Sequence, residues 1–199
     1  MVSPPTYEAA PVAGLPAGTL IACEDGDVAV EAISAGDIVN TLSDGPQVVR
    51  WVGRIKSEAG LVEIKAGALG ENTPCQDLCV APLQHVVIAG WQAEVLFGET
   101  QVLVAAEALI NNQSIARLAA PKAQPLYYVL FDKHEAIRAN GAATESYYPS
   151  ALAQKPLAKD QLAALYAAVP ELSTLDPNQP FSHVYPAISA AEAALLQQS

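Results

Sequence analysis

The chain has 199 residues, 51% of them apolar, with 21 acidic against 10 basic side chains and a formal net charge of −11. A chain this apolar can bury a substantial core, which excludes a disordered polymer. Its acidity repels phosphate, which argues against nucleic-acid and anionic-membrane partners. Met1 to Ala13 contains no Lys or Arg and no continuous apolar stretch, so it does not read as a secretory leader. No segment approaches the roughly 18 apolar residues that span a bilayer. The cytoplasm is the default location, with secretion without a cleaved leader left open.

Residues 1–17 are rich in Pro and Ala and read as an extended N-terminal arm. Residues 18–149 read as a β domain. Thr19 to Cys23 is a short apolar and β-branched run, Glu24 to Asp27 is a turn, and Val28 to Ile33 resumes strand character. Val49, Trp51, Gly53 and Ile55 alternate with Arg50, Val52, Arg54 and Lys56, the period-2 pattern of a half-buried strand. Leu61 to Lys65 repeats it. Leu78 to Ile88 and Val95 to Ala105 are further apolar runs, separated by Ala89-Gly90-Trp91. Leu126 to Phe131 is the last strong strand and is placed centrally. Asn111-Asn112 and Asn140-Gly141 signal turns.

Residues 150–199 change character. Pro156 marks a first helical turn, and Leu162, Leu165, Tyr166 and Val169 follow at helical spacing before Pro170 stops the pattern. Ser189 and Glu192 form a capping box ahead of Ala193 to Leu196. Helices this short are marginal alone in water, so their apolar stripes are expected to pack on the β domain. Three cysteines, Cys23, Cys75 and Cys79, make a poor disulfide framework. They read as buried, inert thiols.

Several stretches carry a likeness. Gly18-Thr19-Leu20-Ile21-Ala22, Gly26 to Ile33 and Gly36 to Val39 come first; Gly90 to Glu99, Asp132-Lys133-His134-Glu135 and Gly141 to Tyr147 follow. In this order and spacing they resemble the Hint module of inteins and self-processing hedgehog proteins, closest to the bacterial non-intein branch. The resemblance covers about 14–149. It implies a mainly β, horseshoe-like Hint fold, here with a short helical C-terminal extension, and an ancestral autoprocessing activity.

Self-processing of that kind starts with an acyl shift, in which a thiol or hydroxyl attacks the carbonyl of the residue before it. It needs a nucleophile next to the bond, a general acid for the departing amide nitrogen, and donors for the oxyanion. The family places its Cys four residues before the Gly-Thr pair. Here that position is Gly14, preceded by Ala13. Thr19 is the nearest downstream hydroxyl, but it occupies the family's own Gly-Thr position, where it more readily starts the first strand. Around Val80 and Pro82 the resemblance puts Gln84 at the family's histidine position, with His85 one residue later. On a regular strand His85 would face away from the site. Gln84 can hydrogen-bond but cannot act as an acid near neutral pH. Asp132 and His134 match the family's Asp-x-His-Glu motif. Two apart on a strand, they would share a face and form a carboxylate–imidazole pair, either catalytic or structural.

The sequence supports a degenerate Hint domain that acts as a structural or binding scaffold. Its partner would be its own N-terminal segment, lying in the old groove, or another protein. The alternative is residual self-cleavage by an N-to-S or N-to-O acyl shift with a substitute nucleophile. A metal site from Cys75, Cys79, His85 and His134 is a third possibility, of nonspecific spacing. No cofactor and no metal is expected. His183 reads as solvated in a Pro-rich loop.

Overall fold

The computed structural model describes residues 12–119 and 122–196. The first eleven residues of the expected arm therefore lie outside the described residues. Short strands follow one another as the apolar and turn pattern requires: β1 (Leu15–Pro16), β2 (Leu20–Cys23), β3 (Gly26–Ala29), β4 (Ile38–Asn40), β5 (Pro46–Val48), β6 (Trp51–Ser57), β7 (Leu61–Ile64), β8 (Leu78–Val80) and β9 (His85–Ala89). Helix α1 (Trp91–Phe97) then interrupts them. After it come β10 (Gln101–Ala105), β11 (Ile115–Leu118), β12 (Gln124–Leu130), β13 (Ala136–Ala139) and β14 (Ala142–Glu145), and finally α2 (Ala151–Gln154), α3 (Lys159–Ala168) and α4 (Ala190–Leu196).

The described strands form three antiparallel sheets. An eight-stranded sheet runs β10-β9-β14-β13-β2-β4-β5, with β3 beside β2; β1-β12-β6 and β11-β7-β8 are the other two. The fold is mainly β with a short helical C-terminal extension. β6 buries Trp51, Gly53, Ile55 and Ser57 and exposes Arg54 and Lys56, the alternation its sequence carries. The β13–β14 turn is a tight hairpin in which Asn140 and Gly141 take φ of 49° and 84°. Asn and Gly tolerate that left-handed backbone where bulkier residues do not.

Three expectations need correction. β12 is central in its sheet, between β1 and β6, but it is not the last strand, because β13 and β14 follow. The apolar run from Val95 does not begin as a strand. Gly90 and Gly98 bracket a helix there, Gly98 closing it in the left-handed conformation with its N–H donated to the Glu94 carbonyl. Leu15 and Pro16, placed in the extended arm rather than in the β domain, belong to its sheets, since β1 pairs with β12 at Leu15↔Tyr127 and Pro16↔Leu126.

One core cluster fills the space around Ile21, Val39, Ile64, Val80, Val104 and Phe131. A second joins Trp51, Leu126, Tyr128 and Leu130 to Leu165 and Val169 of the helical extension. Leu165 and Val169 are fully buried there, each worth about 2 kcal/mol of removed apolar surface. Arg50 ties the same junction by donating to the Ala168 carbonyl at 2.8 Å. The Ser189–Glu192 capping box forms as expected, the Ser189 N–H reaching Glu192 Oε2 at 2.7 Å and the Glu192 N–H reaching Ser189 Oγ at 3.3 Å. Among the described residues no helix is long and apolar enough to cross a membrane.

Candidate functional site

The site is built where the chain enters the β domain. Val12 to Gly14 runs beside the segment that follows β8. The Leu83 N–H donates to the Val12 carbonyl and the Ala81 N–H to the Gly14 carbonyl, both at 3.0 Å. Val12 and Ala13 pack on the cluster of Trp51, Leu126 and Tyr128. The Ala13–Gly14 peptide is thereby held in place, and its amide nitrogen meets one side chain. The Gly14 N–H donates to Gln84 Oε1 at 2.9 Å, in a buried contact.

Gln84 is fixed in that orientation. Its Nε2 donates to Thr144 Oγ1 at 3.0 Å and to the Glu145 carbonyl at 2.9 Å. The Thr144 hydroxyl passes the chain on to the His85 carbonyl at 2.6 Å. An amide held through both ends accepts from Gly14 and has no proton to supply to it.

Gly14 itself has φ of +124°, which L side chains rarely adopt. A Cβ built there would lie 3.0 Å from Leu126 Cβ, 3.1 Å from Tyr128 Cε1 and 3.4 Å from the Tyr127 carbonyl oxygen. A side chain there would be strained by the backbone conformation, and Leu126 and Tyr128 would have to give by a few tenths of an ångström to admit it. Thr19 is buried just before β2, and its hydroxyl donates to the Pro16 carbonyl at 2.8 Å.

The second half of the site centres on a residue that has no role in the sequence reading. Glu145, at the end of β14, lies between two histidines. Its Oε1 is 2.6 Å from His85 Nδ1 and also accepts the His85 N–H at 3.1 Å. Its Oε2 is 3.2 Å from His134 Nε2. Buried His134 Nε2 has no other polar partner among the described residues, so Glu145 is the charge that faces it. Burial alone would raise the Glu145 pKa, but the two histidines outweigh it and hold the carboxyl at about 2. His85 mirrors this: burial pulls it down, and the bond and charge of Glu145 pull it up further, leaving a raised pKa.

The expected Asp132–His134 pair does not form. Asp132 and His134 lie in the bend between β12 and β13, not on a strand, so the two-residue spacing does not give them a common face. Asp132 is exposed and pairs with Arg50. His134 is buried and turns to Glu145, while its Nδ1 accepts the Val184 N–H at 3.1 Å. His85 binds Glu145 where Gln84 binds Gly14, as neighbours at the start of a strand do when they point to opposite sides. His183 is exposed but not simply solvated, since its ring stacks on Tyr148 at 4.1 Å and meets His134 edge-on at 5.3 Å. Glu145 was within reach of the sequence: it follows the Asn140-Gly141 turn, and a two-residue hairpin fixes its register against Ala136.

Of the cysteines, Cys75 is exposed and Cys23 and Cys79 are half-buried, which corrects the expectation of buried thiols. The Cys75 thiol rests against Gly141 and donates to the Asn140 carbonyl at 3.2 Å. Burial, then nearby carboxylates, push the Cys23 and Cys79 thiols up, away from thiolate reactivity. Among the described residues no group of three or more His, Cys, Asp or Glu side chains is placed to hold a metal ion.

The family model of the Hint domain matches residues 13–151, more than half of the chain, and begins at the Ala13–Gly14 bond. The chain belongs to the Hint domain family. Its Hint fold is similar to the solution structure of the bacterial intein-like domain from Clostridium thermocellum, at 15% identity and a TM-score of 0.51, covering 71% of this chain and 100% of that one. The MchDnaB-1 intein is also similar, at 12% identity and a TM-score of 0.46, covering 67% of this chain and 99% of that one. At such identities the likeness is one of fold. No curated protein sequence matches the chain significantly.

Proposed function

We propose that this Hint domain does not process itself and serves as a structural or binding scaffold, with its own N-terminal segment held across the position where the family's reaction takes place. The observation that carries this reading is Gly14: the residue after the candidate bond has no nucleophile, and its backbone angle and tight neighbours disfavour a side chain there. Gln84 supports it further. It occupies the place of a proton donor yet offers the Gly14 amide only an acceptor. A catalytic unit that lacks two of its members at once keeps little of its rate.

Residues 12–16 are then the standing occupant of that position. Backbone bonds to Ala81 and Leu83, the Gln84 contact and the β1–β12 pairing all hold it. The binding function falls to surfaces outside this groove, or to the groove together with its bound segment.

Intact mass of the freshly purified full chain, and again after days at neutral pH with a thiol or hydroxylamine, tests the reading. An unchanged mass is expected. A fragment beginning near residues 13–19 would overturn it and would identify a substitute nucleophile by its new terminus.

A further inference from the structure

All three histidines of the chain meet around Glu145, and one of them holds down part of the C-terminal extension. Residues 181–188 form a strap packed against the eight-stranded sheet beside β10. Its far part is anchored on β10, where the Leu103 N–H donates to the Pro186 carbonyl at 2.8 Å and the Ile188 N–H to the Leu103 carbonyl at 3.0 Å. Its near part is held by the Val184 N–H bond to His134 Nδ1, by the Tyr148 hydroxyl on the Phe181 carbonyl at 2.8 Å, and by packing of Val184 and Tyr185 on Val87, Leu103 and Ala136. Phe181 to Tyr185 close one wall of a cavity of about 610 Å³ whose other wall includes Ser43, Lys133, His134 and Glu135.

We propose that His134 is a proton-operated latch for residues 181–185, closed while its imidazole is neutral and open once Nδ1 takes up a proton. The geometry sets the rule. A neutral ring that accepts from Val184 at Nδ1 carries its hydrogen at Nε2, toward Glu145. A proton at Nδ1 would place two donors face to face in a buried site, leaving the Val184 N–H without an acceptor. The cation would not be expelled from the core, because Glu145 on β14 faces it from the other side. The strap is therefore the element that gives way.

The surrounding charges agree with that direction. From β9, His85 reaches the same carboxylate of Glu145. From the strap, His183 sits edge-on to His134 and brings a second titrating ring, its pKa lowered by burial and by His134 itself. Tyr148 stacks on His183 and carries no charge near neutrality. On the His134 segment, Lys133 pairs with Asp44 and Glu135 accepts from Ser43. Val184 and Tyr185 bring no cation to the strap side and no carboxylate that could replace the lost acceptor. Opening would uncover the cavity while the Pro186 to Ile188 anchor on β10 stays in place.

The test is amide hydrogen exchange by NMR on the full chain between about pH 8 and pH 5, the range in which histidines charge, with rates corrected for intrinsic exchange. Protection of the Val184 amide should fall about tenfold for each pH unit below the point at which His134 charges, while the Leu103 and Ile188 amides hold. His134→Gln keeps an acceptor and cannot titrate, so its Val184 protection should be independent of pH; His183→Ala should keep the pH dependence. Constant Val184 protection in the native chain, or the same pH dependence in His134→Gln, overturns the latch. The ¹⁵N shift of His134 Nδ1 in the native chain decides the matter even if that variant does not fold. Protonation in step with loss of Val184 protection supports the latch. Protonation without that loss, or no protonation down to about pH 5, overturns it.

Discussion

Gln84 receives the backbone N–H of Gly14 at 2.9 Å across 70 positions of sequence, and the same side chain grips Thr144 and Glu145 from its other end. One amide thus ties the entry of the chain to β14, the strand that ends at the His–Glu cluster. Gln84→Ala would strand the Gly14 N–H and free the Thr144 hydroxyl and the Glu145 carbonyl. With about 1–3 kcal/mol for each buried group left unmade, partly recovered by relaxation, the loss should be roughly 2–4 kcal/mol. Urea unfolding measures it, and a loss below about 1 kcal/mol would mean that the network does not hold the entry segment.

Restoring a thiol should not restore chemistry. Gly14→Cys must force an L residue into φ of +124° against Leu126 and Tyr128, a strain of roughly 1–3 kcal/mol. We expect lower stability than the native chain and no cleavage in a thiol-containing buffer. A cleaved product from Gly14→Cys would show that the site needs only its nucleophile back.

Glu145 predicts an acid limb. Its folded pKa lies at about 2 against an ordinary 4.5, so the unfolded chain binds the proton first as pH falls. The stabilisation is complete above about pH 4.5 and is lost between there and about pH 2, an effect of roughly 3 kcal/mol. His85 has a raised pKa, so its contribution is present below about pH 6.5 and is lost as pH rises through its folded value. The urea midpoint should therefore decline on both sides of a mildly acidic optimum. Glu145→Gln should flatten the acid limb while lowering stability at neutral pH; an unchanged acid limb in that variant would place the linkage elsewhere.

Asp132 and Glu145 make opposite predictions for the same histidine. Asp132 is paired with Arg50 at the surface, with 64% of its side chain exposed, and such pairs contribute under about 1 kcal/mol. Asp132→Asn should leave the His134 ring resonances unchanged and stability nearly so. Glu145→Gln should move those resonances strongly. NMR titration of the three histidines separates the two, and a His134 response to Asp132→Asn would revive the pairing the motif suggested.

Trp51 lies over Gly53, two residues along the same strand, such that a Cβ on Gly53 would come within 1.9 Å of the indole. The ring is part of the junction with Tyr147, 5.5 Å away between centroids, and with the helical extension. Gly53→Ala should displace it, costing roughly 2–3 kcal/mol and shifting tryptophan emission to the red. An unshifted spectrum would mean that the indole has another place to go.

What the sequence determined by itself was local or carried by ordered motifs. The alternation read over Val49 to Lys56, which stands in the strand from Trp51, the Asn140-Gly141 turn and the Ser189–Glu192 capping box each rest on contacts within a few residues. The Hint fold was legible because many weak motifs recur in one order, and so was the lack of a side chain at Gly14. Only the tertiary structure decided the rest. Helix α1 was hidden inside apolar runs because short helices and strands share their composition, although Gly98 was a visible stop signal. Asp132 looked like the partner of His134 because spacing on a strand was assumed; the chain bends there, and Glu145 from another strand takes that place. The crowding at Gly14, the Gln84 bond to its amide and the strap over His134 depend on residues 50 or more positions apart. Such distances are set by sheet pairing, and no local pattern of side chains encodes them.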